Sequence, residues 1–175
     1  LEALLPHYNQ VEDEALKVAK KYFCGTFQSQ KLFEHELNGN TYRCYVDICN
    51  ENEKEINIIE VKATTSRKYS YWTDKRDKKQ GLYFSDAHGG NPYSLFIKDG
   101  NIWRFNTADS KVNDYALKKF EEKKKYLLDK YRKEGKYPHD LAFQRFVIER
   151  ALRKANDQRP VNYYLAVLNS EYVYD

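Results

Sequence analysis

The 175-residue chain contains no methionine, not even at its first position, and a fragment of a longer parent protein with further domains is therefore expected. It has three cysteines, Cys24, Cys44 and Cys49, and they lack the paired spacing of a structural zinc site. An odd set of thiols suits a reducing compartment, each acting as a small buried hydrophobe, so the expected location is cytoplasmic. The longest apolar runs, such as Tyr163 to Leu168, are only a few residues and too short to cross a membrane. No charged, apolar and small-residue leader opens the chain, so neither a secretory signal nor a membrane partner is expected. The four histidines are scattered, with no His-Glu-x-x-His motif. With no phosphate-loop motif and no Gly-x-Gly-x-x-Gly either, an ATPase or a dinucleotide enzyme is not expected.

What is present reads as a soluble globular chain: 41% hydrophobic and 32% charged residues, long enough for one core plus an elaboration. The net charge of +4 permits nucleic-acid binding without demanding it. Val11 to Phe23 has helical spacing, with Val11, Ala15, Val18 and Tyr22 on one stripe and Ala19 and Phe23 beside it. Phe33 to Leu37 suits a short strand. Thr41 to Cys49 alternates, with Tyr42, Cys44, Val46 and Ile48 on one face and Arg43, Tyr45, Asp47 and Cys49 on the other. After a polar turn, Ile56 to Lys62 completes a hairpin. Tyr93 to Asn106 suits another hairpin, turning at Asp99-Gly100. Two long helices are expected, Asp114 to Glu134 stopped by Gly135, and Asp140 to Ala155 preceded by Pro138. Asn162 to Leu168 is the last strand. This order implies an α/β fold with a mixed sheet in one domain over 1–175, with 67–137 as an insertion carrying a hairpin and a charged helix.

The chemistry concentrates at Tyr45-Val46-Asp47-Ile48 and Ile58-Ile59-Glu60-Val61-Lys62. Residues two apart on a strand share a face, so Glu60 and Lys62 project together, and Asp47 on the neighbouring strand can face the same place. Two carboxylates and an ammonium in an apolar sheet suit phosphodiester hydrolysis. Mg²⁺ takes hard oxygen ligands, often only one or two carboxylates plus substrate phosphate, and lowers the pKa of a bound water. A lysine can orient that water and stabilise charge growing on the phosphate. An exposed Glu-Val-Lys strand face with a weak ion pair is the plainer alternative.

Asp47, then Glu60-Val61-Lys62 followed by Ala63-Thr64-Thr65-Ser66, resembles the signature of the PD-(D/E)XK nuclease superfamily. The nuclease domain of RecB and the CRISPR-associated exonucleases carry similar text, and that branch often adds a Gln-x-x-x-Tyr motif on the following helix. Here Gln144 takes that place within Asp140 to Ile148, on a stripe with Leu141, Val147, Ile148 and Ala151, while Ile148 replaces the aromatic. The closing Tyr164 to Val173 resembles the last strand of an uncharacterised bacterial domain family of the same branch. The match covers 41–66 and 138–174. The resemblance implies a restriction-endonuclease-like core, with a mixed central sheet flanked by helices, and a Mg²⁺- or Mn²⁺-dependent nuclease acting on nucleic acid, foremost DNA. It makes Asp47, Glu60, Lys62 and Gln144 catalytic. Asp47 and Glu60 bind the metal, and a first-helix acid assists. Glu12, beside Ala19 and Phe23, is favoured for that acid over the solvent-side Glu14; the alternative for Glu12 is an ordinary helix N-terminal glutamate.

Arg67, Lys68, Lys75 and Arg76, interleaved with Tyr71, suit a nucleic-acid-binding lip, since cations track phosphates and aromatic rings stack bases; a solvated basic loop would look the same. Two rivals remain: a nucleic-acid-binding module of the same fold without turnover, and a protein-interaction domain using the charged 114–134 helix.

Overall fold

The computed structural model describes residues 5–65, 96–99, 102–105 and 114–169. The chain divides into two compact units. One comprises Leu1–Thr65 with His139–Asn169, the other Ser66–Pro138 with Ser170–Asp175. Among the described residues, no helix is long and apolar enough to cross a membrane.

The first unit is α/β. Helix α1 (Leu5–Tyr22) precedes three strands, β1 (Thr26–Leu37), β2 (Asn40–Glu51) and β3 (Ile56–Thr65), and the chain returns after the second unit to end on β6 (Val161–Leu168). The sheet has the order β1-β2-β3-β6. The first three strands form an antiparallel meander, and β6 lies parallel to β3, from Ile56↔Val161 to Lys62↔Val167. The expected mixed sheet is therefore present. Its β1 is longer than expected, because the polar stretch Thr26–Lys31 pairs in register with Val46–Glu51 although little in its own pattern reads as a strand. Such pairing is decided by the partner strand, not by propensity.

The sheet has an apolar cluster on each face. Phe33, Cys44, Val46, Cys49, Ile56 and Ile58 pack against Val147 and Ile148 of the long helix Lys133–Lys154. Ile48, Ile59 and Val61 pack with Ala19, and Val11, Ala15, Leu16 and Phe23 of α1 lie around them. The buried stripe of α1 thus runs through Ala15, Leu16 and Ala19, whereas Val18 and Tyr22, placed on it from spacing, are exposed. Cys24 is likewise exposed, against expectation; it sits in the link between α1 and β1, while Cys44 and Cys49 are buried in strands. In that same link Gly25 has φ +122°, and a Cβ there would lie 2.1 Å from the Glu51 carbonyl oxygen, so only glycine lets the chain turn this close to β2.

Simple alternation fails in the middle of β1 and β2. Phe27 and Phe33 are six residues apart on β1 and should share a face, yet Phe27 lies with the α1 cluster and Phe33 with the opposite one. On β2, Val46 faces the long helix and Ile48, two residues on, faces α1. Ile48 and Cys49 are therefore exchanged relative to the alternation expected from the sequence. The slip occurs in step on both strands, between Ser29↔Ile48 and Lys31↔Val46. The intervening residues are Gln30 and Asp47, and Gln30 has φ 52°, a left-handed conformation costing about 1 kcal/mol or more for a non-glycine residue.

Polar groups tie the other end of the sheet. Asn50 and Asn57 are fully buried. Asn57 Nδ2 donates to Asn50 Oδ1 (3.0 Å), Asn162 Nδ2 donates to Asn57 Oδ1 (3.0 Å), and Asn50 Nδ2 donates to the carbonyls of Cys24 and Thr26. This ladder crosses β2, β3 and β6. Beside it Arg159 clamps the approach to β6, donating to Asp157 Oδ1 (3.0 Å), the Asn52 carbonyl (2.8 Å) and Glu51 Oε2 (3.0 Å). Buried polar groups satisfied this completely specify register as well as stability.

In the second unit, β4 (Phe96–Asp99) and β5 (Ile102–Phe105) form the expected hairpin, paired from Phe96↔Phe105 to Asp99↔Ile102. Helix α2 (Asp114–Leu127) follows, with Phe120 and Leu127 buried and Phe96 against them. The charged helix expected to reach Glu134 ends at Leu127, and α3 (Lys133–Lys154) begins before Gly135, the expected stop. A Cβ at Gly135 would lie 2.0 Å from the Asp129 carbonyl oxygen, so this glycine permits close approach to the preceding turn and does not end a helix. Pro138, expected ahead of the last helix, lies inside it.

Candidate active site

The candidate residues gather where β2 and β3 part. Their ladder runs from Glu51↔Ile56 only as far as Ile48↔Ile59. One residue beyond, Asp47 turns its carboxylate into the gap, and its Oδ2 accepts a 2.7 Å bond from the Val61 backbone N–H. A side chain thus replaces the main-chain partner that a continued ladder would have supplied, which satisfies the amide and fixes the carboxylate. The slip in alternation at Asp47 is what makes this position available.

On the α3 face, Glu60 is buried. Its Oε1 accepts a short bond from Lys62 Nζ, the i, i+2 neighbour on the same face, and the Glu60 and Lys62 side chains are 8% and 23% exposed. Its Oε2 accepts a 2.6 Å bond from Gln144 Nε2 on α3. The direct partner of Gln144 is thus the Glu60 carboxylate. Gln144 is itself 6% exposed, and its Oε1 is buried with no hydrogen-bond partner among the described residues. Asp140 lies one helical turn earlier, close enough for its charge to act on Lys62.

On the other side, Gln30 Nε2 donates to Glu12 Oε2 (3.2 Å) and to Asp47 Oδ1 (3.3 Å), linking α1 to the strand pair. Glu14 instead pairs with Lys17 in solvent. Of Glu12 and Glu14, Glu12 is therefore the one drawn to the site. Gln30 was not identified from sequence: it lies in a polar run that does not read as a strand, and the only available signal was its register opposite Asp47.

The electrostatics agree with the geometry. Burial pushes the Asp47 carboxyl above its usual value; the Val61 N–H and the Lys62 charge oppose this, while the charges of Glu60 and Glu12 add to it. Burial works to lower the Lys62 ammonium, but the hydrogen bond and charge of Glu60, with Asp47 and Asp140, outweigh it and hold Lys62 above its usual value. Lys62 is therefore held in its charged form at neutral pH.

Among the described residues, no three His, Cys, Asp or Glu side chains converge tightly enough to form a ready-made metal cage. The acids are turned onto Gln30, Gln144, Lys62 and a backbone amide instead. The donor chemistry nevertheless suits a hard divalent cation, which takes one or two carboxylates and keeps several waters. Asp47, Glu60 and Glu12 supply carboxylate oxygens, and the orphaned Gln144 carbonyl is a buried acceptor for a bound water. The basic and aromatic candidates Arg67, Lys68, Tyr71, Lys75 and Arg76 lie outside the described residues.

No protein-family model matches this chain, and no curated protein or solved structure matches it.

Proposed function

We propose that this chain is a Mg²⁺- or Mn²⁺-dependent nuclease of the PD-(D/E)XK type that hydrolyses phosphodiester bonds in nucleic acid, foremost DNA. The observation that carries the reading is the position of the Asp47 carboxylate in the gap between β2 and β3, with the Glu60–Lys62–Gln144 network on one side and Glu12 on the other. The order of helix, three-stranded meander, helix and a fourth strand parallel to the third also supports a restriction-endonuclease-like core.

In this reading Asp47, with Glu60 on one side and Glu12 on the other, would hold the cation, which would supply Lewis acidity and activate a water for attack. Lys62 presents a fixed positive charge to the attacked phosphate and stabilises the negative charge that grows there. Gln144 holds one Glu60 oxygen so that the carboxylate cannot rotate, and its carbonyl accepts a hydrogen bond from the attacking water. Water adds at phosphorus and gives up a proton to solvent, while the bond to the bridging oxygen breaks and that oxygen takes a proton from solvent, giving one phosphate end and one hydroxyl end.

The test is cleavage of labelled single- and double-stranded DNA and RNA with Mg²⁺ or Mn²⁺, beside Glu60→Gln, Asp47→Asn and Lys62→Ala proteins. Cation-dependent cleavage by the wild type, reduced at least ~100-fold in each variant, is expected. Salt-sensitive binding of DNA without cleavage would replace the nuclease with a binding module of the same fold.

A further inference from the structure

We propose that Gln30 is an additional member of the cation site: its amide occupies the cation's place between Glu12 and Asp47, and its carbonyl oxygen turns inward when Mg²⁺ or Mn²⁺ enters. The proposal rests on the cation-binding half of the nuclease reading.

Several observations converge on this residue. Gln30 is a non-glycine in the left-handed region (φ 52°) in the middle of a strand, whereas the other such residues among the described ones, Asn38 and Asn156, lie at the β1–β2 turn and at the end of α3. An asparagine in a turn relieves that strain locally, but a glutamine within a ladder does not. The strain coincides with the slip in alternation opposite Asp47. Its product is a single amide that reaches two carboxylates from different elements, Glu12 Oε2 at 3.2 Å and Asp47 Oδ1 at 3.3 Å. Both bonds are at the long end of the N–H···O range. The partial positive charge of one NH₂ group thus stands between two acids, in an exposed position open to ions. An independent sign that the centre takes a ligand comes from the opposite side. Gln144, more than nine-tenths buried, leaves its Oε1 unpartnered among the described residues, on the same planar amide whose Nε2 is bonded to Glu60.

A divalent cation between Glu12 and Asp47 competes directly with the Gln30 NH₂. The amide nitrogen and oxygen are nearly isosteric, so a half turn about the last side-chain torsion exchanges donor for acceptor without moving the strand. The oxygen so presented is a side-chain carbonyl, a ligand type that hard cations accept. Gln30 then compensates the acids when the cation is absent and ligates it when present.

The experiment is a Mn²⁺ titration of the full chain, with free Mn²⁺ read by electron paramagnetic resonance, for the wild type, Gln30→Leu and Gln30→Glu, each checked for folding by circular dichroism in EDTA. A dissociation constant raised roughly 5- to 20-fold in Gln30→Leu and lowered in Gln30→Glu is expected, as a ligand is lost in one and a charge gained in the other. An unchanged or lowered constant in Gln30→Leu overturns the proposal while leaving the nuclease reading intact. If Gln30→Leu does not fold, Gln30→Glu decides: tighter binding supports the proposal, and equal or weaker binding overturns it. A wild type that takes up no Mn²⁺ overturns both readings. Uptake that depends on Gln30 without cleavage of nucleic acid supports this proposal and overturns only the nuclease.

Discussion

Replacing Lys62 by methionine removes a charge while keeping most of the side-chain volume, and its cost follows from what it leaves behind. The Glu60 side chain is 8% exposed and Lys62 Nζ is the donor to its Oε1. Stranding a buried charge typically costs ~3–5 kcal/mol. Two features reduce that here: Gln144 still donates to Oε2, and Lys62 is about one quarter exposed, so solvent already screens part of the pair. A loss of about 2–3 kcal/mol is expected, roughly a 30- to 150-fold fall in the folding constant. Neutralising the stranded carboxylate should restore most of it, so Lys62→Met/Glu60→Gln should be more stable than Lys62→Met alone. The assay is urea unfolding followed by far-ultraviolet circular dichroism in EDTA, comparing midpoints at constant slope. A loss below about 0.5 kcal/mol in the single variant, or a double variant less stable than the single, would refute the unpaired-charge reasoning.

Two further outcomes follow from the rest of the first unit. Asn57→Leu removes the central rung of the buried ladder, leaving Asn50 Oδ1 and Asn162 Nδ2 each short of a partner, and is expected to cost about 2–4 kcal/mol in the same unfolding assay; a neutral effect would show that the ladder is not needed. Asp157 is held at about 2, below its ordinary 3.8, first by the side-chain hydrogen bond from Arg159 and then by the Arg159 backbone N–H. A depressed carboxyl stabilises the fold above its unfolded value and loses that contribution as pH falls through the folded one. Asp157→Asn is therefore expected to be about 1–2 kcal/mol less stable at neutral pH, with the gap closing between 3.8 and about 2; a gap that persists in acid would assign the effect to packing instead of charge.

The local parts of this protein are legible in its residue pattern. Alternation located β2 and β3, the spacing of Glu60 and Lys62 placed both on one face, and the helical stripe put Gln144 among apolar neighbours, because each of these relations spans only a few residues within one element. Tertiary structure decided what those parts meet. Gln30 lies in a run without strand character, and only pairing with Val46–Glu51 makes it a strand residue opposite Asp47. The slip that exchanges Ile48 and Cys49 between faces leaves no mark on the hydrophobic pattern, because both residues are buried whichever way they point. The choice of Glu12 over Glu14 depended on which acid an amide eighteen residues away could reach, and the bond from Gln144 to Glu60 spans 84 residues. Periodicity is a property of one element, whereas a site built across a parted pair of strands and two helices depends on long-range pairing that no local pattern encodes.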